Sequence, residues 1–149
     1  MLATRAATRA TRDATMSMQA YPAGRTALLL IDPYNDFLAE EGKLWPLVAE
    51  VARHVDLHLR LEAVLSCIRQ AGLPVFLVPH HRSEPADFKG WEHPPPYQLG
   101  AARMQPFARD SWGGQWHPDF APQPGDIIVR EHWGSSGFAN TDLDYLLKH

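Results

Sequence analysis

Two acids and a base follow apolar runs in this chain. Asp32 is the first residue after Thr26 to Ile31 (TALLLI), and Glu131 and His132 follow Ile127 to Arg130 (IIVR). Short continuous apolar runs of this kind mark strands covered on both faces, and residues just past their carboxyl ends face the crevice where open α/β folds bind ligands. A carboxylate there, desolvated by Ile31, Tyr34 and Phe37, is shifted toward the range useful for proton transfer, and a nearby cation lowers it again. Asp36 is the weaker candidate, because it lies in the following turn and serves equally well to tie a loop to backbone amides. Position alone leaves Asp32 open between proton transfer and a turn cap. Glu131 and His132 stay open between an acid with a titratable base and two exposed polar residues at a strand end. The one thiol, Cys67, sits mid-helix in AVLSCIRQAG beside Val64 and Ile68. It reads as a small buried core residue, with nothing nearby to make it a thiolate.

The histidines invite a metal. His80, His81, His93 and His117 share a proline-rich stretch with Asp87 and Glu92, but adjacent His80 and His81 do not readily aim both rings at one ion, and an irregular loop is a poor ligand frame. No metal and no cofactor are expected. Instead Asn35, Phe37, His80 and Trp133 are the expected walls of a pocket for a small-molecule substrate. Trp45, Trp91, Trp112 and Trp116 read mainly as core or loop anchors. The glycines of SWGGQW and HWGSSGF form no phosphate-binding fingerprint, since neither pair leads from a strand directly into a helix at the required spacing.

These residues need a frame to hold them, and the remaining sequence supplies one. Leu73 to Val78 (LPVFLV) is a second buried strand, and Pro79 ends it. Between the first two strands, Leu47, Val48, Val51, Val55, Leu59, Leu65 and Ile68 recur at threes and fours up to Gly72, as one long or two consecutive amphipathic helices. Strand, helix and strand in this order imply parallel pairing and a right-handed crossover. Pro124-Gly125-Asp126 turns into the third strand, and Thr141 is the expected N-cap of a last helix with Asp142 and Asp144 in its first turn. The fold class is therefore α/β, a parallel sheet flanked by helices in a Rossmann-like three-layer α/β/α arrangement. Most of the 13 prolines fall between Pro79 and Pro124, a stretch with little periodicity that reads as a covering loop. The sequence stops at TDLDYLLKH about two turns into a helix, so the sheet is expected to be incomplete at its C-terminal end.

Composition removes several classes. With 14 Lys and Arg against 17 Asp and Glu, the 149-residue chain has no basic excess for a phosphate backbone. No nucleic-acid partner is expected. The longest apolar run, Ala27 to Ile31, is far short of the roughly 20 residues that span a bilayer, so no membrane partner is expected either. A lone cysteine with no secretory segment points to a reducing, cytoplasmic setting. Residues 1–25 form an Ala/Thr/Arg extension with nothing to bury and are expected to be disordered. That leaves residues 26–149 as one domain, whose third strand offers an unpaired edge for a homo-oligomer.

Three blocks carry a resemblance: TALLLIDPYNDFLAEEGKLWP, LPVFLVPHHR and PQPGDIIVREHWGSSGFANTDLDYLLKH. In this order they resemble the isochorismatase-like cysteine hydrolases, the superfamily that includes nicotinamidases and N-carbamoylsarcosine amidases. The resemblance implies a triad of Asp, Lys and Cys. Asp32 would deprotonate the cysteine, which attacks an amide, imidate or enol-ether carbon, and water resolves the covalent intermediate. The family's cysteine follows the strand after the TDLD helix and is absent from these residues. The family's lysine falls at or near His132, so Glu131 or His132 is the expected stand-in. No Asp-x-His pair of the kind that holds a metal in nicotinamidases occurs. The expected function is thus that of an isochorismatase-like hydrolase domain represented by its N-terminal part. The alternative is an inactive remnant that binds small molecules or oligomerises.

Overall fold

The computed structural model describes residues 21–149. The extension assigned to residues 1–25 lies outside the described residues up to residue 20, and Ala23–Arg25 forms a 3-10 turn. Three strands follow, β1 (Leu28–Ile31), β2 (Val75–Val78) and β3 (Ile127–Ile128), in the order β1-β2-β3 and parallel throughout. Leu30 lies opposite Leu77, and Leu77 opposite Ile128. The strands are shorter than their apolar runs, because Thr26 and Leu73 lead into the sheet without pairing. The β2–β3 pairing, however, outlasts the named strands. Val129 N–H donates to the Leu77 carbonyl at 2.9 Å, His132 N–H to that of Pro79 at 2.9 Å, and His81 N–H to that of His132 at 2.8 Å.

Alternation along the strands divides the apolar residues between two faces. On one, Leu30, Val75 and Leu77 pack with Leu38, Leu65 and Phe120, and Leu57, Leu61 and Ile68 close over them. On the other, Phe76, Val78 and Val129 pack against Leu143 and Leu146. The result is a helix, sheet, helix sandwich with β2 at its centre. Burying an aliphatic side chain of this kind stabilises by about 1.5–3 kcal/mol. Leu77 and Val78, at 0% exposure, take most of that gain, whereas Ile31 on β1 is 58% exposed and Ile128 on β3 53%.

The helical pattern before β2 resolves into two helices, α2 (Trp45–His54) and α3 (Leu57–Gln70), after a single turn, α1 (Asn35–Leu38). Pro46 sits in the first turn of α2, where its missing N–H costs nothing. The break comes at Asp56, whose φ of +50° is left-handed. Gly72 follows α3 at φ +67°, the glycine stop read from the sequence. Arg69 near the end of α3 reaches Asp126 at 2.6 Å, tying that helix to the Pro-Gly turn before β3.

Two expectations fail here. Cys67 is exposed. The buried stripe of α3 runs through Leu57, Leu61, Leu65 and Ile68, and a residue two positions past Leu65 is rotated by about 200° to the solvent side. The stretch between Pro79 and Pro124 is also no structureless loop. It contains helix α4 (Pro96–Met104) and two 3-10 turns, Trp112–Gly114 and Pro118–Phe120. Helix α4 escaped the pattern because it buries no residue, leaving Tyr97, Leu99 and Met104 exposed. Its last carbonyls, at Met104 and Gln105, accept from Lys43 Nζ at 3.1 and 2.7 Å, a cationic C-cap from elsewhere in the chain. The last helix, α5 (Leu143–Leu147), has Asp142 at its N-cap position, with Thr141 Oγ1 one residue earlier accepting from Leu143 N–H at 3.3 Å. Among the described residues no helix is long and apolar enough to cross a membrane.

Candidate active site

Asp32 stands at the carboxyl end of β1, where its N–H still donates to the Val78 carbonyl at 3.2 Å. Its φ of +53° turns the chain sharply out of the strand, a conformation that aspartate tolerates better than most residues. One strand over from β2, the pairing that resumes at His80 and His132 brings the second of these rings across. His132 Nε2–H donates to Asp32 Oδ1 at 3.1 Å, joining residues 100 positions apart in sequence. The His132 side chain is 3% exposed and that of Asp32 19%. The Nδ1 atom of His132 is buried without a partner among the described residues.

Burial pushes the Asp32 carboxyl above the ordinary value of 3.8, while His132, His80 and their hydrogen bonds pull it back. The pair therefore combines a proton acceptor of raised affinity with an imidazole that orients it. The edge of the His80 ring meets the His132 ring at 5.1 Å. His80 Nδ1–H donates to the backbone carbonyl of His81 at 2.8 Å. A carbonyl only accepts, so Nδ1 of His80 carries a hydrogen in this arrangement.

Glu131 goes elsewhere. Successive side chains on an extended segment point to opposite sides, and this carboxylate turns away from Asp32. It accepts from Arg82 Nη1 at 3.2 Å, from Arg82 N–H at 3.1 Å and from Arg109 Nη2 at 3.3 Å, with His81 Nδ1 at 3.4 Å. Of the two stand-ins expected for the lysine, only His132 meets Asp32. The Arg82 guanidinium also lies 5.3 Å from the centroids of both Tyr34 and Trp116. The two rings stack on each other at 5.0 Å, and a cation against such a pair helps hold the covering segment.

Asn35 and Phe37 likewise leave the pocket. The Asn35 amide donates to the Trp112 carbonyl at 2.8 Å, and Phe37 stacks on Phe107 and joins the core beneath β1. Asp36 is the loop anchor foreseen as its second reading, since its carboxylate accepts from Phe107 N–H at 2.7 Å and Lys43 N–H at 3.1 Å. A side chain at Gly113 would overlap this carboxylate.

His80 and Trp133 do line a cavity of about 160 Å³, together with His81, Asp87, Phe88 and Gln98. The Trp133 ring stacks on His81 at 3.7 Å, and Phe88 meets it edge-on at 5.8 Å. Asp87 holds His81 from the far side at 2.9 Å. Asp87, Phe88 and Gln98 were out of reach of the sequence, because they come from a stretch without periodicity and join Trp133 around the cavity only in the folded chain. Tyr34, expected only to desolvate Asp32, also makes a bond that the sequence did not reveal. It is wholly buried, burial pushes its hydroxyl well above the ordinary range, and its O–H donates to the His80 carbonyl at 3.0 Å. Tyr34→Phe removes that bond at a cost of about 1 kcal/mol. The expected outcome is a lower urea midpoint and displaced His80 and His132 ring resonances in NMR. A lower midpoint with both rings unmoved would show that the hydroxyl plays no part in placing them.

Among the described residues no group of three His, Cys, Asp or Glu side chains is placed to hold a metal ion.

The model of the isochorismatase domain matches residues 26–149. The chain belongs to the isochorismatase family. Among curated relatives, ureidoacrylate amidohydrolase RutB of Yersinia enterocolitica is 26% identical over 139 residues, covering 87% of this chain and 60% of that protein. RutB of Pantoea ananatis is 27% identical over 134 residues, covering 83% and 53%. The isochorismatase-family chain thus spans little more than half the length of these relatives. Among solved structures, a cysteine hydrolase from Pseudomonas syringae aligns with a TM-score of 0.57 at 24% identity, over 86% of this chain and 55% of that one. N-carbamoylsarcosine amidase from Thermoplasma acidophilum aligns with a TM-score of 0.54 at 24% identity, over 82% and 60%. These two likenesses bear on the fold alone, and they fit the parallel sheet with helices on both faces.

Proposed function

We propose that this isochorismatase-family chain carries the acid–base half of an amide-hydrolysing site, with Asp32 as the proton acceptor and His132 as its positioning partner. The observation that supports this most is the Asp32–His132 hydrogen bond at a strand's carboxyl end, with the His132 ring meeting at 5.1 Å the ring of His80, which lines a cavity with Trp133. The curated relatives named as ureidoacrylate amidohydrolases point the same way.

The attacking thiol is not Cys67, which lies exposed on α3. It comes from outside these 149 residues, either from chain that continues past them or from a partner. Asp32 takes the thiol's proton, and the sulfur attacks the amide carbon. The C–N bond then breaks as the leaving nitrogen takes that proton back, giving a thioester and a free amine or ammonia. Water adds to the thioester, the C–S bond breaks, and the acid and the thiol are regenerated.

The test joins residues 26–149 to the C-terminal part of the Yersinia enterocolitica relative that they do not cover. Ammonia released from a ureido compound is then measured at several pH values, after circular dichroism has established that the fusion is folded. The expected result is release that is blocked by iodoacetamide and that falls tenfold per pH unit below a point higher than the ordinary 3.8, where Asp32 protonates. Release by the 149-residue chain alone, indifferent to thiol alkylation, would overturn the assignment. So would a folded fusion that releases nothing.

A further inference from the structure

Two histidines meet where the covering segment docks on α2 and α3. The His117 ring lies 5.2 Å from that of His58 on α3, and both rest on Phe120, at 5.2 and 5.6 Å. Trp45 of α2 closes the group, 5.7 Å from His58. His117 and Phe120 are buried. The polar atoms here suit uncharged rings. His117 Nδ1 accepts from Asp119 N–H at 3.4 Å, capping the 3-10 turn Pro118–Phe120, so it carries a lone pair and no proton. Nε2 of His58 and Nε1 of Trp45 are both buried without a partner among the described residues. An imidazolium carries a proton on each nitrogen, and at His58 Nε2 that proton finds no acceptor. The charges that face the group do little for an added proton. Asp119 Oδ2 lies 3.7 Å from His117 Nδ1, on a side chain that is 53% exposed, and Glu62 on α3 attracts His117 less than Asp119 does. Glu40, Arg53 and Asp56 stand with His58 around a surface cavity of about 450 Å³, where Arg53 is tied to Glu40 at 2.8 Å. Burial outweighs Asp119 and, with His58, holds His117 below the ordinary 6.5.

We infer that His58 and His117 form an acid-sensitive latch, closed while both rings are neutral, that fastens the covering segment to α2 and α3 and opens when either ring is protonated. A proton on His117 Nδ1 removes the acceptor of Asp119 N–H and sets an imidazolium against Phe120. A proton on His58 as well adds like-charge repulsion across 5.2 Å. The same segment is stitched to the turn after Asp32, since His117 N–H donates to the Pro33 carbonyl at 2.8 Å and Asn35 N–H to that of Gln115 at 3.0 Å. An open latch therefore loosens the chain that sets Asp32, whatever reaction the site carries out. The folded state takes up the His117 proton less readily than the unfolded chain does. The latch thus contributes its full stability above 6.5 and loses it as pH falls through that value toward the lowered one.

The test compares urea midpoints of the full 149-residue chain and of a double variant, His58→Phe with His117→Phe, at about pH 7.5 and about pH 5.5. The variant keeps two rings against Phe120 and has nothing there to protonate. On acidification the parent is expected to lose about 0.5 M more of its midpoint than the double variant. Deuterium exchange gives a local reading in the parent alone. Corrected for the intrinsic effect of pH, the amides of Asp119 and Phe120 should speed up about tenfold relative to that of Leu77 at the lower pH. The His117 ring, followed by NMR in the parent, should titrate below 6.5. Equal midpoint losses in the two proteins, exchange at Asp119 and Phe120 that keeps step with Leu77, or a His117 ring that titrates at or above 6.5 would each overturn the inference. Should the double variant not fold, the exchange and the ring titration of the parent decide.

Discussion

Asp32→Asn is expected to make the protein more stable at pH 7 while it lowers amide hydrolysis by the thiol-complemented protein about 1,000-fold, within the range for losing a general base. Both halves follow from one environment. Burial raises the Asp32 carboxyl above its ordinary 3.8, so the folded state binds this proton more tightly than the unfolded chain does. In the window between 3.8 and the raised value, the folded form holds more protons, and stability falls as pH rises through it. Above that window the ionised Asp32 weighs against the fold. Asparagine has no such charge, accepts the left-handed backbone at φ +53°, and can still bond His132 through its side-chain oxygen. The urea midpoint of Asp32→Asn should therefore exceed that of the parent at pH 7 and approach it at pH 4. A midpoint difference that is the same at both pH values would show that the Asp32 charge is not held at a cost.

The opposite balance holds four residues on. Asp36→Ala should destabilise the fold by about 3 kcal/mol, since it strips two backbone donors, the buried Phe107 N–H and the half-buried Lys43 N–H, of their acceptor. A loss of that size moves a urea midpoint by about 1–2 M in a domain of this length. It also unfastens the covering segment, so α4 amides should exchange with deuterium faster than those of β2. Asp144→Ala removes a carboxylate whose exposed pair with Lys148 contributes little, and its midpoint should hardly move. If Asp36→Ala behaves like Asp144→Ala, the carboxylate is not the anchor described.

What could be read from the sequence was whatever depends on neighbours along the chain. The runs ending in Asp32 and before Pro79, the Pro124-Gly125-Asp126 turn and the Gly72 stop are each set within a few residues. Asp32 was legible because a strand's end is a local event. The choice between Glu131 and His132 was not, because it is set by which of them faces β1 once β3 has paired with β2. Cys67 was misread because a helix that packs by one stripe sends every residue off that stripe to water. Phe37 and Asn35 sit in a recognisable block, yet their targets, Phe107 and Trp112, come from some 70 residues later. Asp87, Phe88 and Gln98 belong to a segment whose order derives from anchors elsewhere, Asp36 and Lys43 among them, so no local signal marks it.

The resumed pairing between His80 and His132 makes the site sensitive to chain length. Glu131 and His132 point to opposite sides, one toward Arg82 and Arg109 and the other toward Asp32. Inserting or deleting one residue between Ile128 and His132 would exchange them, setting one carboxylate against another and an imidazole against two guanidiniums. Substitutions in this short stretch leave that parity intact, whereas any change of length reverses it. The placement of His132 against Asp32 therefore depends on the number of residues between Ile128 and His132 more than on their identities.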